Sequence, residues 1–200
     1  FGKNASAGVV NAGSSAGRGD HTPRVIGQVG ELLVHGVNVM PGKPTALGVA
    51  GGKAILGLPG YPVSTAVAAD LFLRPLVALL GGGTQPERPR VRARLVRKVA
   101  SKVGHEEVLR VQVGRVGDRH VATPLARGAG VITSLSRAAG LVRIPAPAEG
   151  LEAGAEVEVE LLVPPEAIAG TIVHVGSHDL ALDVLDDLLR AAGSGRALAS

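Results

Sequence analysis

The sequence predicts an α/β domain, an all-β domain and then a short β-α unit, and three observations carry that prediction. An apolar run, a Gly/Ser loop and a helical repeat follow one another between Gly8 and Leu33. From Val91 onward the hydrophobic period changes to two, the repeat of a half-buried strand. A strand-like run and a helical repeat then return between Thr171 and Leu189. Turn-rich joints near Gly81 to Pro89 and Val163 to Ala169 separate these stretches, which divides the chain at 1–85, 86–163 and 164–200.

In the first stretch, Gly8 to Asn11 reads as a buried strand entering a loop. Thr22 and Pro23 supply an N-cap and a first-turn proline, and Val25, Ile26, Val29, Leu32 and Leu33 recur at helical spacing. Val34 to Val39 reads as a strand and Pro41 to Pro44 as a rigid turn. Ala46 to Val49 and Ala54 to Leu58 flank Gly51-Gly52 as a hairpin would. Val63 to Leu73 is then helical, with Pro75 kinking or restarting the helix before Gly81.

In the second stretch Val91, Ala93 and Leu95 alternate with Arg92, Arg94 and Val96, and Val157 and Val159 alternate with glutamates. Short runs at Val108 to Val113, His120 to Pro124 and Leu141 to Ile144 add strands, predicting a small antiparallel sheet or barrel. In the third, Thr171 to Val175 reads as a strand, followed by Gly176-Ser177-His178-Asp179 and a helix. Leu180, Val184, Leu185, Leu188 and Leu189 fall on one side of that helix, and Asp183, Asp186 and Asp187 are expected to face water.

Composition narrows the function. Hydrophobic residues make up 46% of 200 residues but aromatics only 2%, so stacking platforms for single-stranded nucleic acid are almost lacking. The formal charge of +4 comes largely from arginines between Arg88 and Arg97, which suits small anionic ligands better than duplex DNA. With no cysteine, disulfides and thiolate metal sites are excluded, and the cytoplasm is the expected compartment. No apolar stretch reaches spanning length without Gly, Pro or charge, so no membrane partner is expected.

Three loops carry chemistry. Gly13-Ser14-Ser15-Ala16-Gly17-Arg18-Gly19-Asp20 stands between a strand and a helix, where backbone N–H groups and a helix dipole converge on an anion. Asp20 offers a hard carboxylate for Mg2+ beside phosphates; by itself the loop reads more simply as a turn with a capping aspartate. Pro41-Gly42-Lys43-Pro44 holds one ammonium between two prolines, either to clamp an oxyanion or as a solvated turn. Leu58-Pro59-Gly60-Tyr61-Pro62-Val63-Ser64 ends a strand and brings Ser64 to a helix start, where a cap is an equal alternative to a binding role. All three lie at the end of a strand in one α/β segment, the place where open parallel sheets bind ligands.

In this order and spacing, Gly13 to Asp20, Pro41 to Pro44 and Leu58 to Ser64 resemble the molybdopterin molybdenumtransferase family, which includes the gephyrin E domain. The resemblance implies a three-layer molybdopterin-binding α/β domain, with 1–85 its C-terminal half, and a β-barrel domain over 86–163. Residues 164–200 resemble the beginning of a periplasmic-binding-like domain. The implied reaction inserts molybdenum from molybdate into adenylylated molybdopterin, uses Mg2+ and releases AMP. By the same resemblance, Asp20 and Lys43 are catalytic and Asp20 is the metal ligand. Gly13, Ser14, Ser15 and Gly17 contact the phosphate or nucleotide, and Pro41, Gly42, Pro59, Gly60, Pro62 and Ser64 shape the pocket. Ser134 matches a family serine, against the plainer alternative of a buried strand hydroxyl. Ala12, Ala16 and Met40 depart from the family pattern, Met40 standing where a second lysine is frequent. Small-molecule substrates and, in the full-length protein, a homodimer are implied. The alternative is a non-catalytic module that binds molybdopterin or an oxyanion, or acts as a scaffold.

Overall fold

The computed structural model describes residues 6–11, 21–128, 132–174, 179–192 and 197–199, with only the backbone of Arg190 and of 197–199. The chain forms two compact units. One comprises 1–86 with 128–132, the other 87–127 with 133–200.

The first unit contains, in order, β1 (Ala7–Asn11), α1 (Thr22–Val29), β2 (Glu31–His35), the two-residue β3 (Val39–Met40), β4 (Ala46–Ala50) and β5 (Lys53–Leu58). A continuous helical segment then runs through α2 (Pro62–Ala68), a π-helical stretch (Ala69–Leu73) and α3 (Arg74–Leu80). The sheet order is β1-β5-β4-β2, with β1 parallel to β5 and the other pairs antiparallel. The β4–β5 hairpin closes through Gly51 and Gly52, both at positive φ (57° and 73°), the twist that a two-residue hairpin turn requires.

Alternation along β4 and β5 sends side chains to two faces, and both faces are covered. On one, Ile26 of α1 packs with Ala46 and Ile55. Here Gly48 and Gly57 let the helix approach, since a Cβ on Gly57 would sit 2.7 Å from Thr22 Cγ2 and one on Gly48 would strike Ile26 and lie 2.6 Å from the Glu31 carbonyl oxygen. On the other, Leu56 and Leu58 pack with Ala68, Phe72, Leu73 and Leu76. Pro75 has no N–H to donate to the carbonyl of Leu71, which lies within the π-helical stretch. The segment Pro62–Leu80 is long and apolar enough to cross a membrane by length and composition, with a mean hydropathy of 1.7. Its inner side nevertheless packs on β5, and the Asp70 carboxylate pairs with Arg74 one turn on at 2.8 Å.

Several sequence expectations are corrected here. The first helix stops at Val29, and Leu32 and Leu33 belong to β2, because Gly30 turns the chain in extended geometry beside Val49 so that Glu31 can pair with it. Sheet pairing thus overrides a helical spacing that runs on through the turn. The cap of α1 is His21, one residue earlier than expected, and Thr22 is buried inside the helix against Gly57. β1 is a strand but not a buried one: it lies at the sheet edge with Val9 and Val10 46% and 39% exposed.

The second unit contains β6 (Arg90–Leu95), β7 (Val99–Ala100), β8 (Glu106–Val116), β9 (Arg119–Pro124), α4 (Thr133–Ser136), β10 (Gly140–Ile144), β11 (Gly150–Leu151) and β12 (Glu156–Leu161). Five strands follow the order β10-β12-β6-β9-β8, and β8 pairs back to β10, closing a small barrel. Leu95, Leu109, Val111, Val113, Ala122, Ile144 and Val159 fill its interior. The expected all-antiparallel pattern holds except at β6–β9, which is parallel. Outside the barrel Arg90 pairs with Glu158 at 2.9 Å, Arg88 with Glu160 at 2.9 Å and Arg92 with Glu156 at 3.8 Å. Three arginines of the basic cluster are therefore neutralised diagonally across β6 and β12 instead of standing open to an anion.

Beyond the barrel come α5 (Pro165–Ala169), β13 (Thr171–Val173), α6 (Leu180–Ala191) and β14 (Ala197–Ala199). β13 and β14 pair in parallel with α6 as the crossover, a β-α-β unit. Residues 175–178, including Ser177 and His178, lie outside the described residues. Asp179 Oδ1 accepts the Ala181 N–H at 2.8 Å and caps α6. The orientation expected for α6 is overturned. Asp186 is 3% exposed and Asp183 pairs with Arg137, whereas Leu180 and Leu188 are 78% and 61% exposed; of the three aspartates only Asp187 faces water.

The glycines under α1 give a paired test. Gly48→Ala is expected to cost about 1–3 kcal/mol through overpacking against Ile26 and Glu31. Gly27→Ala, exposed on α1 with nothing near its Cβ position, is expected to stabilise by about 0.5–1 kcal/mol. Denaturant titration of the two variants reads both signs.

Candidate functional site

The register of the first sheet brings three chain segments to one edge. β1 runs parallel to β5 with Asn11 opposite Leu58, so the chain leaves both strands side by side, into 12–20 and into Pro59–Ser64. β4 runs the other way, with Ala46 opposite Gly57, so the turn that precedes it arrives at the same edge. Both helices begin there as well, α1 with Thr22 over Gly57 and α2 directly after the Pro59–Tyr61 turn. N–H-bearing helix starts, a lysine turn and a proline turn thus face one end of the sheet, the side on which open α/β sheets take ligands.

The lysine turn is held from within. Thr45 is fully buried; its Oγ1 donates to the Gly42 carbonyl at 2.7 Å and its N–H to the same oxygen at 3.2 Å. Val37 N–H donates to the Lys43 carbonyl at 2.8 Å, and Gly36 N–H to that of Thr45 at 2.9 Å. Gly42 is buried at φ 127°, and its Cβ position lies 3.8 Å from the Ser64 carbonyl oxygen, so the turn rests on the first turn of α2. Lys43 itself is exposed on a backbone pinned at both neighbours. The turn spends ordering entropy in folding, before any ligand arrives.

The proline turn is similarly tied down. Thr65 Oγ1 donates to the Tyr61 carbonyl at 3.0 Å and also to that of Pro59. Pro59 and Ser64 are buried, while Gly60 and Pro62 are exposed. Ser64 does not cap the helix, since Tyr61 holds that position. Gly13, Ser14, Ser15, Gly17 and Asp20 lie outside the described residues. Among the described residues no group of three or more His, Cys, Asp or Glu side chains is placed to hold a metal ion.

In the second unit Ser134 sits on the short helix α4, not on a strand, and is buried. Its Oγ accepts the Nε–H of Arg110 at 2.8 Å, and Arg110 Nη2 donates to the Ala126 carbonyl at 3.2 Å. Arg110 is 3% exposed, and burial lowers its pKa. Among the described residues no carboxylate lies within ion-pair distance of it. The field of Glu107 offsets part of that burial, but among the described residues no carboxylate is hydrogen-bonded to the guanidinium, a setting that suits an anion. Arg110 was not singled out from the sequence, although the signal was there: a single charge inside the apolar run Val108 to Val113.

Comparison with known proteins agrees with both units. Residues 3–79 match the family described as a probable molybdopterin binding domain, and residues 92–162 match the MoeA C-terminal region (domain IV). A Methanocaldococcus jannaschii protein whose name assigns it to molybdopterin biosynthesis is 36% identical over 154 residues, 77% of this chain and 36% of its own length. Molybdopterin molybdenumtransferase 1 of Mycobacterium tuberculosis is 32% identical over 163 residues, 77% of this chain and 38% of its own. The crystal structure of a molybdopterin biosynthesis MoeA protein from Pyrococcus horikoshii superposes with a TM-score of 0.63 at 38% identity, covering 80% of this chain and 38% of that one. The chain spans little more than a third of the length of these relatives.

The Arg110–Ser134 pair makes a stability prediction with two signs. Ser134→Ala is expected to cost about 1–3 kcal/mol by stranding a buried donor. Arg110→Met in anion-free buffer is expected to be neutral or more stable by about 1–4 kcal/mol, because it removes a buried charge that only neutral hydrogen-bond partners and the field of Glu107 offset. Thermal unfolding of both variants measures this, and a large loss in Arg110→Met would show that the charge is already satisfied within the fold.

Proposed function

The chain carries a molybdopterin-binding-type domain followed by a MoeA C-terminal region, and from that premise we propose that it is the part of a molybdopterin molybdenumtransferase that binds the pterin substrate. The whole protein acts in molybdenum cofactor biosynthesis. It takes adenylylated molybdopterin and molybdate, places molybdenum at the dithiolene and releases AMP. The observation that carries this is the meeting of the Asn11 exit, the Pro41–Pro44 turn and the Pro59–Ser64 turn at one sheet edge.

The chemistry assigned to these residues is electrostatic. Backbone N–H groups of 13–17, the hydroxyls of Ser14 and Ser15, and the Lys43 ammonium spread the negative charge that builds while the adenylate phosphate departs. Pro41, Gly42, Pro59, Gly60, Pro62 and Ser64 shape the walls, two turns whose backbones are already fixed. Asp20 would hold Mg2+, which would supply charge neutralisation to the phosphate; a single carboxylate suits the sparse protein ligation this ion usually has. In the barrel unit the Arg110–Ser134 pair takes a phosphate or oxyanion group. Residues 1–85, 86–163 and 164–200 are assigned to the pterin-binding domain, the barrel domain and the start of a periplasmic-binding-like domain; the parallel β13–α6–β14 unit supports the last. A cytoplasmic homodimer completes the proposal.

AMP release and molybdopterin binding by the full-length protein test it. Asp20→Ala is expected to abolish AMP release with binding retained. Lys43→Met is expected to lower kcat/KM about 10- to 100-fold, the size of one lost charge-assisted hydrogen bond. Wild-type protein that binds molybdopterin but releases no AMP would instead identify a binding or scaffolding module. Full-length protein that binds none would overturn the assignment.

A further inference from the structure

Along β8 the residues that point away from the barrel interior, Arg110, Gln112 and Gly114, are as buried as those that point in. A barrel strand facing solvent on its outer side alternates; here both sides are covered. At Arg110 the cover is α4, through Ser134. At Gly114 it is β13: a Cβ there would strike Val173 and lie 3.3 Å from Thr171 Cγ2 and 3.6 Å from the Thr171 carbonyl oxygen. β13 belongs to the β13–α6–β14 unit, which lies outside both family-matched regions.

The same unit reaches α4 from a second side. Arg137 Nη1 contacts Asp183 Oδ1 of α6 at 2.9 Å, with both side chains about one-third exposed. Asp186 and Asp187 on α6 add to the negative field at that guanidinium, and Asp183, Asp186 and Asp187 together hold its pKa above the ordinary value against the opposing effect of burial. Arg137 also closes α4, donating its backbone N–H to the Thr133 carbonyl at 3.1 Å. A continuous chain of contacts therefore runs from α6 through Asp183 and Arg137 to the helical turn that carries Ser134, and from Ser134 to Arg110. This also accounts for the inverted helix, in which Asp183 and Asp186 turn inward while Leu180, Leu185 and Leu188 face out.

We propose that Arg137 is a positioning residue: the β13–α6–β14 unit, seated in the Gly114 notch and pinned by Asp183, clasps the α4 turn and holds Ser134 on Arg110. The consequence for ligand binding rests on the proposed function of the Arg110–Ser134 pair as an anion site. The clasp itself does not.

Amide hydrogen exchange on the intact chain tests the clasp, in the wild type, in Asp183→Asn, in Gly114→Val and in the charge swap Arg137→Asp with Asp183→Arg. Asp183→Asn is expected to speed exchange of the 134–138 amides roughly three- to fivefold, as the loss of one partly exposed ion pair would. Gly114→Val is expected to do the same from the other end, and the swap to restore protection. Amides of β6 and β12 keep wild-type protection throughout, which separates release of the clasp from unfolding of the barrel. Unchanged exchange at 134–138 in a variant whose α6 amides have become labile would overturn the clasp. Titration with inorganic phosphate and with molybdate, followed by the same amides, tests the ligand consequence: both variants should bind roughly threefold more weakly. Equal affinity in wild type and variants would confine the clasp to a structural role. No protection by either anion in the wild type would remove the anion site and leave the exchange result standing.

Discussion

Parallel pairing of β1 with β5 is the constraint on which the first unit depends. Antiparallel neighbours can be joined by a hairpin, but a parallel pair sends both chain exits to one edge and forces the connection to cross back over the sheet. Here that single pairing, Asn11 against Leu58, sets the two exits side by side. The hairpin partner β4 then has no choice but to begin at the same edge, bringing the Lys43 turn with it. The close fit of α1 on Gly48 and Gly57 completes the arrangement by placing a helix start above that edge. Neither the lysine turn nor the proline turn has to reach for the other, because the sheet register sets both beside the end of β1.

The barrel unit solves a different problem. Its interior needs only Val, Leu, Ile and Ala, which a chain with so few aromatics can supply. Its difficulty is Arg110, a cation taken out of water on the outer side of β8 and answered by a hydroxyl and a carbonyl instead of a carboxylate. Burying an ion on such terms is costly unless an anion joins it. The surface cations Arg88, Arg90 and Arg92, by contrast, each meet a glutamate of β12, and each pair carries little energy. Charge on this protein therefore has to be read by partner and burial; the formal total misplaced it.

Much of this was legible in the residues. Period-two alternation marked β6 and β12, the Gly51-Gly52 pair marked the hairpin, and Pro75 marked the restart of α-helical winding after the π-helical stretch. The lysine and proline turns were recognisable because proline and glycine restrict or permit backbone angles locally, whatever surrounds them. What the sequence did not disclose depended on distant partners. Leu32 and Leu33 kept helical spacing, yet Gly30 and the waiting edge of β4 drew them into a strand. The leucine side of α6 looked like an inner face because hydrophobicity alone decides that question in most helices; here Arg137, 46 residues before Asp183 in sequence, took the acidic side instead. Ser134 was singled out, but its partner Arg110 was hidden in an apolar run, and only the fold brings the two together across 24 residues.

The two-residue turn at Gly51-Gly52 has a kinetic meaning. A hairpin closed so locally forms within about 1–10 μs, and β4 and β5 can be paired before any distant contact exists. β1 has no such advantage, since Ala7 must find Ala54 across the whole intervening helix, strand and hairpin, and closing a loop of that length comes late in folding. The half of the sheet edge that bears Lys43 is thus made early, and the half formed by the end of β1 is added last. Newly made chains would pass through a stage in which the hairpin scaffold is sound while the β1 side of the sheet end is still missing.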